Sequence, residues 1–523
     1  MRGVLAVVPS ATLLGLDGRF IRVEVDVAPG LPGFTIVGLA DTALQEARER
    51  VRGAIRNAGF TFPPRRITIN LAPADLRKGG ASLDLAMALG ILLGSEQVRA
   101  GSLPVAFLGE LSLGGDVRPV PGVLPMVAAL PAGIARVVVG TAVVEEARLA
   151  GGPAIVGVGT LAEAAEAVRG RRPRRNPVAM PRVTMGEGEV AAGPAIALAE
   201  AAVPDLAEVR GQHGARRALE IALAGGHGLL LTGPPGVGKT LLARTIPGLL
   251  PPLDDRSALA ATIIASAAGE GPIRELRRRA SFRAPHHTIS YAAMVGGGPN
   301  LTPGEITRAD QGVLFLDELA EFDRDVLESL RQPLEEGRVV IARAGRVTTF
   351  PARFQLIAAM NPCPCGYAGS LPESTCRCNA PAIERYARRV SGPLRDRIDL
   401  WVPMPRVSSA SLVAVGEPEG SVEVAARIAV ARAVALARPA GVLNARLRGR
   451  ALRHACRLSV AAAHRLIGLA EAEGASGRGT ERLLRVARTI ADLGDRAAVE
   501  TDDLDEAAWF RSAEARSAGA LAS

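Results

Sequence analysis

The pattern of apolar and polar positions divides the chain into segments of different character. In the N-terminal third, residues 20–27, 66–71 and 106–113 alternate apolar with polar side chains, which predicts half-buried β-strands. Residues 42–58 and 82–93 instead repeat apolar side chains at helical spacing. This part of the chain is therefore predicted to mix strands and helices.

The remaining chain falls into a mixed α/β stretch and a helical C-terminal part rich in Ala, Leu and Arg, interrupted near 474–479. Between the first two regions, residues 171–177 hold four arginines and two prolines without an apolar side chain, which is typical of a linker. The predicted parts are an N-terminal domain (1–168), a basic linker (169–200), a core (201–405) and a helical domain (406–523).

The length and net charge of the chain limit the classes of protein to which it can belong. A chain of 523 residues predicts about three domains, because single cores rarely exceed ~250 residues. The net charge of +9 favours a polyanionic partner such as DNA, although arginine content can also follow genomic base composition. No apolar run reaches the ~18 residues of a membrane helix, and the N-terminus resembles a strand more than a signal peptide. We expect a cytoplasmic protein without membrane contact.

A short apolar run at 228–232 leads directly into the pattern G-x-x-x-x-G-K-T. This is typical of a P-loop, in which glycines let backbone N–H groups surround phosphates and a following helix N-terminus adds a favourable dipole. We expect Lys239 to contact the β- and γ-phosphates of ATP and Thr240 to bind Mg²⁺. The predicted nucleotide-binding residues are Gly233, Pro234, Pro235, Gly236, Val237, Gly238, Lys239, Thr240 and Asp317.

Two carboxylates end a second apolar run, at 312–316. Because parallel strands end at the sheet edge where nucleotides bind, we expect Asp317 to position Mg²⁺ and Glu318 to polarise the attacking water. These roles indicate an ATP hydrolase rather than a passive nucleotide binder. A third run, 354–360, ends at Asn361, whose amide can orient that water, a task called sensor 1.

Four of the five cysteines fall within sixteen residues, as Cys363-x-Cys365 and Cys376-x-Cys378. Four thiolates brought together by a folded-back loop suit a tetrahedral, structural Zn²⁺ site. The C-x-C spacing is less common than C-x₂-C, so free or redox-active thiols stay an alternative. The lone Cys456 lies on an apolar helix and is predicted to belong to a core.

The chain resembles AAA+ ATPases of the magnesium-chelatase and MCM-helicase branch, and more closely the YifB/ComM family. The strings that carry the resemblance are 109–115, 283–288, 303–306, 316–319 and 361–366. It implies an α/β fold: an AAA+ P-loop core, an N-terminal Lon-protease-like α+β domain and a C-terminal helical lid. It also implies a homo-hexameric ring and, for the best-understood members, a helicase that drives branch migration of DNA.

The resemblance assigns roles to three arginines. Arg397, before an apolar residue and Asp, matches the finger that reaches the ATP of a neighbouring subunit, with Arg395 as the second choice. Arg478 falls where the family carries the lid arginine called sensor 2. Surface or solvated arginines are the plain alternatives at these positions.

Residues 337–350 form two strand-like runs around a small-residue turn, which predicts a β-hairpin. The string 341–345 is similar to the MCM hairpin whose basic residue grips DNA in the pore. A cation at a hairpin tip can hold a phosphate, so Arg343, followed by Arg346, is predicted to bind DNA. The stretch 283–299, with His286 and His287, is predicted to form another pore-facing insert.

In the N-terminal domain, residues 77–85 and 109–121 look like the Lon protease fold. Ser82 falls near the nucleophile position, but Leu124, with Met126 close by, stands where a catalytic lysine belongs. Neither side chain can accept a proton, so we expect no peptidase activity. Three functions remain in competition: a DNA-translocating motor, a chelatase-type ring that remodels a protein partner, and an ATP-dependent protease.

Overall fold

The computed structural model describes residues 4–37, 42–73, 81–169, 203–298, 301–343, 346–369, 376–407, 418–472 and 474–519. The predicted linker segment 171–177 lies outside these residues.

The N-terminal region combines a four-stranded sheet, in the order β1-β2-β4-β3, with a parallel three-stranded sheet, β5-β8-β9. Its elements are β1 (Val4–Leu14), β2 (Asp17–Ala28), β3 (Gly33–Val37), α1 (Thr42–Asn57), β4 (Arg66–Ala72), α2 (Asp84–Gly94), β5 (Val105–Leu108), β6 (Glu110–Leu111), β7 (Val117–Arg118), α3 (Val123–Ala128), β8 (Arg136–Gly140), α4 (Val144–Arg148), β9 (Ala154–Val158) and α5 (Leu161–Val168). On β2 the alternating side chains of Ile21, Val23, Val25 and Val27 are all buried, as the sequence pattern predicts.

The central region is built on a five-stranded sheet in the order β11-β14-β17-β10-β18, in which every neighbouring pair is parallel. Its elements are α6 (His213–Gly225), β10 (Leu229–Thr232), α7 (Lys239–Arg244), α8 (Ile246–Leu249), α9 (Asp255–Ala267), β11 (Phe282–Arg283), α10 (Tyr291–Val295), β12 (Gly296–Gly297), β13 (Thr302–Pro303), α11 (Glu305–Arg308), β14 (Val313–Leu316), α12 (Arg324–Ser329), α13 (Arg331–Glu336), β15 (Arg338–Arg343), β16 (Arg346–Pro351), β17 (Gln355–Met360), α14 (Ala380–Ala387), α15 (Gly392–Arg395) and β18 (Leu400–Pro403). The mixed α/β class with a parallel sheet is confirmed. The Lon-like character of the N-terminal region stays a prediction.

The C-terminal region is helical, with α16 (Ser421–Ala437), α17 (Gly449–Cys456), α18 (Val460–Ala472), α19 (Gly477–Leu493) and α20 (Thr501–Gly519). Helix α19 begins after Ser476, whose side chain accepts a hydrogen bond from the Gly479 N–H, so the predicted interruption is a helix cap. One hydrophobic cluster includes both Leu231 of the sheet and Leu483 of α19. The two regions therefore share a core. No helix in the described part of the chain is long and apolar enough to cross a bilayer.

A buried polar network also joins the sheet to α19. The Asp399 carboxylate lies 2.9 Å from His227 Nδ1 and 3.7 Å from Arg485, and all three side chains are at most 8% exposed. Burial alone would raise the pKa of Asp399, but the hydrogen bond with His227 and the charge of Arg485 outweigh it and lower the pKa. Asp399 is thus held as a carboxylate in the interface between the sheet and the helices.

We expect Asp399→Ala to destabilise the protein by about 3–5 kcal/mol, because removing one member of a buried ionic network leaves its partners unpaired. Urea unfolding followed by circular dichroism measures the change. The control is Glu384→Ala, which breaks the exposed Arg388–Glu384 pair and should cost less than about 1 kcal/mol. Equal losses in the two variants would contradict the network's role.

Candidate functional site

The predicted P-loop connects β10 to α7, which begins at Lys239. Gly236 and Gly238 have φ angles of 79° and 93°, and a Cβ at either would meet nothing within 4 Å. Glycine is needed here because other residues rarely adopt positive φ. At Gly233, a Cβ would lie 2.3 Å from the Met404 carbonyl oxygen. This end of the loop therefore packs closely against the backbone that directly follows β18. The inner face of the loop is open and leaves room for phosphates.

Lys239 joins the loop to the end of β17. Its Nζ donates hydrogen bonds to the carbonyl oxygens of Gly233 at 2.5 Å and Pro234 at 2.9 Å, and to Asn361 Oδ1 at 3.1 Å. Burial lowers the pKa of Lys239, while the nearby charges of Asp317 and Glu318 act in the opposite direction. The predicted phosphate-binding lysine and the predicted sensor 1 asparagine are therefore in direct contact.

The predicted Mg²⁺ ligands are also in contact. Thr240 Oγ1 donates to Asp317 Oδ2 at 2.6 Å, and Asp317 Oδ1 accepts from the Glu318 N–H at 2.9 Å. A hydroxyl beside a carboxylate at a helix N-terminus fits the donor set that Mg²⁺ takes in nucleotide sites. Glu318 has a φ of 54°, a left-handed conformation that is unusual for glutamate and typical of functional positions.

A cavity of 450 Å³ lies beside these groups. It is lined by Thr240, Arg244, Phe282, Ala284, Pro285, His286, His287, Phe315, Asp317 and Glu318. The His287 Nδ1 atom lies 2.9 Å from Glu318 Oε2, and the rings of the two histidines are 4.1 Å apart. His287 thus orients the predicted catalytic carboxylate, a role the sequence analysis did not assign.

Arg283 lies in a different environment from the one that the sequence predicts, and Gln212 has a contact that no sequence motif indicates. Arg283, expected in a pore-facing insert, is mostly buried and pairs with Glu305 at 2.6 Å and with Glu270 at 3.1 Å. Gln212, which the sequence analysis did not single out, is buried and donates to the carbonyl oxygens of Val237 at 3.3 Å and Pro405 at 2.9 Å. It ties the P-loop to the segment after β18.

The predicted arginines lie away from this cavity. Arg397 pairs with Glu335, donates to the Pro393 carbonyl oxygen and is 17% exposed, while the Arg395 guanidinium lies 5.1 Å from the Trp401 ring centroid. Arg478 is exposed on the first turn of α19. The described cavity lining includes none of the three arginines. A residue that acts on a neighbouring subunit need not face its own site, so these roles stay predictions.

The predicted hairpin is present. Strands β15 and β16 pair antiparallel, with Arg343 opposite Arg346 at their ends, and the turn residues 344–345 lie outside the described part. Both predicted DNA-binding arginines therefore flank the turn. DNA binding itself stays a prediction.

The four clustered cysteines converge. The Sγ atoms of Cys363 and Cys365 are 3.3 Å apart, and the Cys376 Sγ atom lies 3.8 and 3.7 Å from them. With Cys378, all four ligand atoms lie within 4.8 Å of one another. Four sulfurs about 2.3 Å from a tetrahedral Zn²⁺ are separated by about 3.8 Å, so the cluster fits this ion.

In the N-terminal region, Ser82 is buried and its hydroxyl lies 3.4 Å from the Ala11 carbonyl oxygen, which cannot act as a base. Leu124 and Met126 are also buried. The lack of peptidase activity stays a prediction.

Models of magnesium-chelatase domains match three stretches of the chain. The model described as subunit ChlI of Mg-chelatase matches residues 23–142, and that described as magnesium chelatase, subunit ChlI, matches residues 205–412. The model of the ChlI C-terminal part matches residues 418–511. Together they cover most of the chain.

Full-length relatives are similar throughout. The chain is 40% identical over 510 residues to the competence protein ComM of Haemophilus influenzae and likewise to the uncharacterized protein YifB of Escherichia coli, over 97% of both chains in each case. It is 43% identical over 517 residues to an uncharacterized protein of Mycobacterium tuberculosis, covering 97% of this chain and 98% of the relative.

We expect Glu318→Gln to bind ATP but to reduce its turnover by about 10²- to 10⁴-fold, because an amide cannot take a proton from the attacking water. A fluorescent ATP analogue measures binding, and phosphate release measures turnover. Glu321→Gln makes the same change at a carboxylate that pairs with Arg389, so it is the matched control. Unchanged ATP turnover in Glu318→Gln would show that Glu318 is not the catalytic base.

Proposed function

The chain belongs to the YifB/ComM family of magnesium-chelatase-like AAA+ proteins, and from this premise we propose that it is a cytoplasmic, ring-forming, ATP-hydrolysing DNA motor. Its proposed task is branch migration of DNA during homologous recombination or natural transformation. The word competence in the name of the Haemophilus relative supports the latter setting.

ATP hydrolysis is supported most by the convergence of three strand ends. Lys239 and Thr240 follow β10, Asp317 and Glu318 follow β14, and Asn361 follows β17 between them. Bound Mg²⁺ would supply positive charge that stabilises the transferring phosphoryl group. The lysine and the P-loop N–H groups position the phosphates, while Glu318, oriented by His287, accepts a proton from water.

The proposed ring rests on Arg397. It lies just before β18, outside its own cavity, where a neighbouring subunit could receive its guanidinium. Arg482 of α19 donates to the Asp396 carbonyl oxygen at 2.5 Å, so the finger segment is fixed to the predicted lid. We expect the homo-hexamer that is usual for this family.

DNA translocation rests on the β15–β16 hairpin, where two arginines are paired across the ends of the strands. Six such hairpins around a pore could track a phosphate backbone as ATP turns over. The net charge of +9 agrees with a polyanionic partner. The cysteine cluster is proposed to hold a structural Zn²⁺.

A second candidate is a chelatase-type ring that remodels a protein partner without translocating DNA. The matches to magnesium-chelatase models favour this candidate. It would use the same catalytic groups as the DNA motor. A strand-displacement assay on a synthetic four-way junction, with and without ATP, separates the two. ATP-dependent displacement supports the motor, whereas stimulation of turnover by a protein and not by DNA supports the remodeller.

We expect Arg343→Ala to weaken DNA binding and to reduce the slope of log K against log salt by about 1 for each phosphate that the arginine neutralises. Nucleotide affinity should stay within about twofold of wild type, since the described cavity lining includes no residue of the hairpin. Fluorescence anisotropy with labelled DNA at several salt concentrations measures the DNA affinity and its salt dependence. Arg338→Ala, on the same hairpin but paired with Glu336, is the control. Equal weakening in both variants would contradict a specific role for the turn.

We expect Arg397→Ala to lower ATP turnover by about 10³-fold or more, as for other arginine fingers. Mixing this variant with Glu318→Gln should restore part of the turnover, because the intact pocket of one then meets the intact finger of the other. Phosphate release across mixing ratios measures the rescue, and size-exclusion chromatography checks assembly. Assembled mixtures without rescue would rule out action across subunits.

A further inference from the structure

The loop that carries the cysteine cluster packs directly on the P-loop. Gly366 has a φ of 87°, and a Cβ there would lie 2.7 and 2.9 Å from Cδ and Cγ of Pro235. It would also lie 3.8 Å from Cγ of Asn361. Only a residue without a side chain allows this approach, so the contact fixes how close the two loops lie.

The cluster sets the conformation of the turn that makes this contact. The Gly366 N–H donates to the Cys363 carbonyl oxygen at 2.9 Å, and the Ala368 N–H donates to Cys363 Sγ at 3.3 Å. Cys363 is fully buried. The Cys376 Sγ atom lies within 3.8 Å of the sulfurs of both Cys363 and Cys365.

Two further contacts connect the same loop to the nucleotide site. Asn361, two residues before Cys363, accepts the hydrogen bond from Lys239 Nζ. On the other side, the Arg406 guanidinium lies 5.3 Å from the Tyr367 ring centroid, and Arg406 follows β18. The loop therefore reaches the P-loop, the predicted sensor 1 residue and the segment after β18.

A metal ion would hold the cluster closed in this form. A bound divalent ion would take the four sulfurs as thiolates and fix their geometry. In the described part of this loop, the Gly366 and Ala368 N–H groups both donate to Cys363, so the turn that meets Pro235 depends on a predicted metal ligand.

We propose that a Zn²⁺ ion held by Cys363, Cys365, Cys376 and Cys378 braces the P-loop through Gly366 and Pro235, so that metal occupancy sets the affinity for ATP. This inference rests on the proposed function only in taking the P-loop as the ATP site. It assigns the metal a task beyond holding its own loop together.

Two glycines of the loop provide a matched test. Gly366 and Gly369 both have positive φ, at 87° and 70°, but a Cβ at Gly369 would meet nothing within 4 Å. Alanine at either position therefore brings similar backbone strain, and only Gly366→Ala pushes against Pro235. A displacement of roughly 1 Å in a phosphate-binding loop should weaken ATP binding by about tenfold.

The experiment measures zinc per chain with a colorimetric chelator and affinity with a fluorescent ATP analogue. Wild type and Gly369→Ala should hold one Zn²⁺ per chain and bind ATP equally. Gly366→Ala should keep its zinc yet bind ATP about tenfold more weakly, and Cys376→Ser should lose both the zinc and the tight binding. Cys456→Ser, which changes a buried cysteine outside the cluster, should keep its zinc.

Two results would overturn the inference. One is wild-type protein purified without metal, with its thiols free or oxidised. The other is Gly366→Ala binding ATP as tightly as Gly369→Ala. Wild type that binds ATP and zinc but shows no hydrolysis would instead overturn the proposed function and leave the brace intact.

Discussion

Three parallel strands end at one edge of the central sheet, and the position of β17 between β10 and β14 is the constraint on which the site depends. This order places Asn361 next to Lys239, and it lets the Thr240 hydroxyl reach Asp317. Strand β14 is fully apolar and buried and β17 is nearly so, so the functional side chains appear where the strands stop. A change of strand order would separate these groups even if every motif were kept.

The segment before β18 connects this edge to the helical C-terminal region. Arg482 binds Asp396 and Arg485 lies 3.7 Å from Asp399, so two arginines of α19 hold both sides of Arg397. Because sheet and helices also share a hydrophobic core, α19 and the segment that carries Arg397 are joined by both apolar and ionic contacts. A movement of α19 on nucleotide binding would therefore carry Arg397 with it. In the proposed ring, this would give a physical route by which the nucleotide state of one subunit reaches its neighbour.

The sequence was sufficient where a structural element follows from a local pattern. The P-loop, the acidic strand end, the hairpin and the helix interruption near 474–479 each depend on residues close together in the chain, and the structure has all four features. It was insufficient where distant segments meet. His287 reaches Glu318, and Gly366 reaches Pro235, across long stretches of chain, and no spacing rule links them. Arg283 also shows that a basic residue near a glycine-rich insert can be buried in an ion pair.

The N-terminal region contacts the central region at two places, and these contacts indicate what role the N-terminal region can have. The Gly122 N–H donates to the Ser266 carbonyl oxygen at 2.8 Å, and the Ser266 hydroxyl donates to buried Glu146 at 2.6 Å. Glu146 also accepts a hydrogen bond from the Leu124 N–H, so the position where a Ser/Lys protease would need its lysine is part of this contact with α9.

The second place is the turn between β1 and β2, where a Cβ at Gly15 would lie 2.7 Å from Thr348 Cγ2. Because Thr348 belongs to β16 and pairs with Ile341, the N-terminal region contacts the middle of the hairpin that carries Arg343. Because it packs on the central region at both places, the N-terminal region can hold the hairpin and α9 in position.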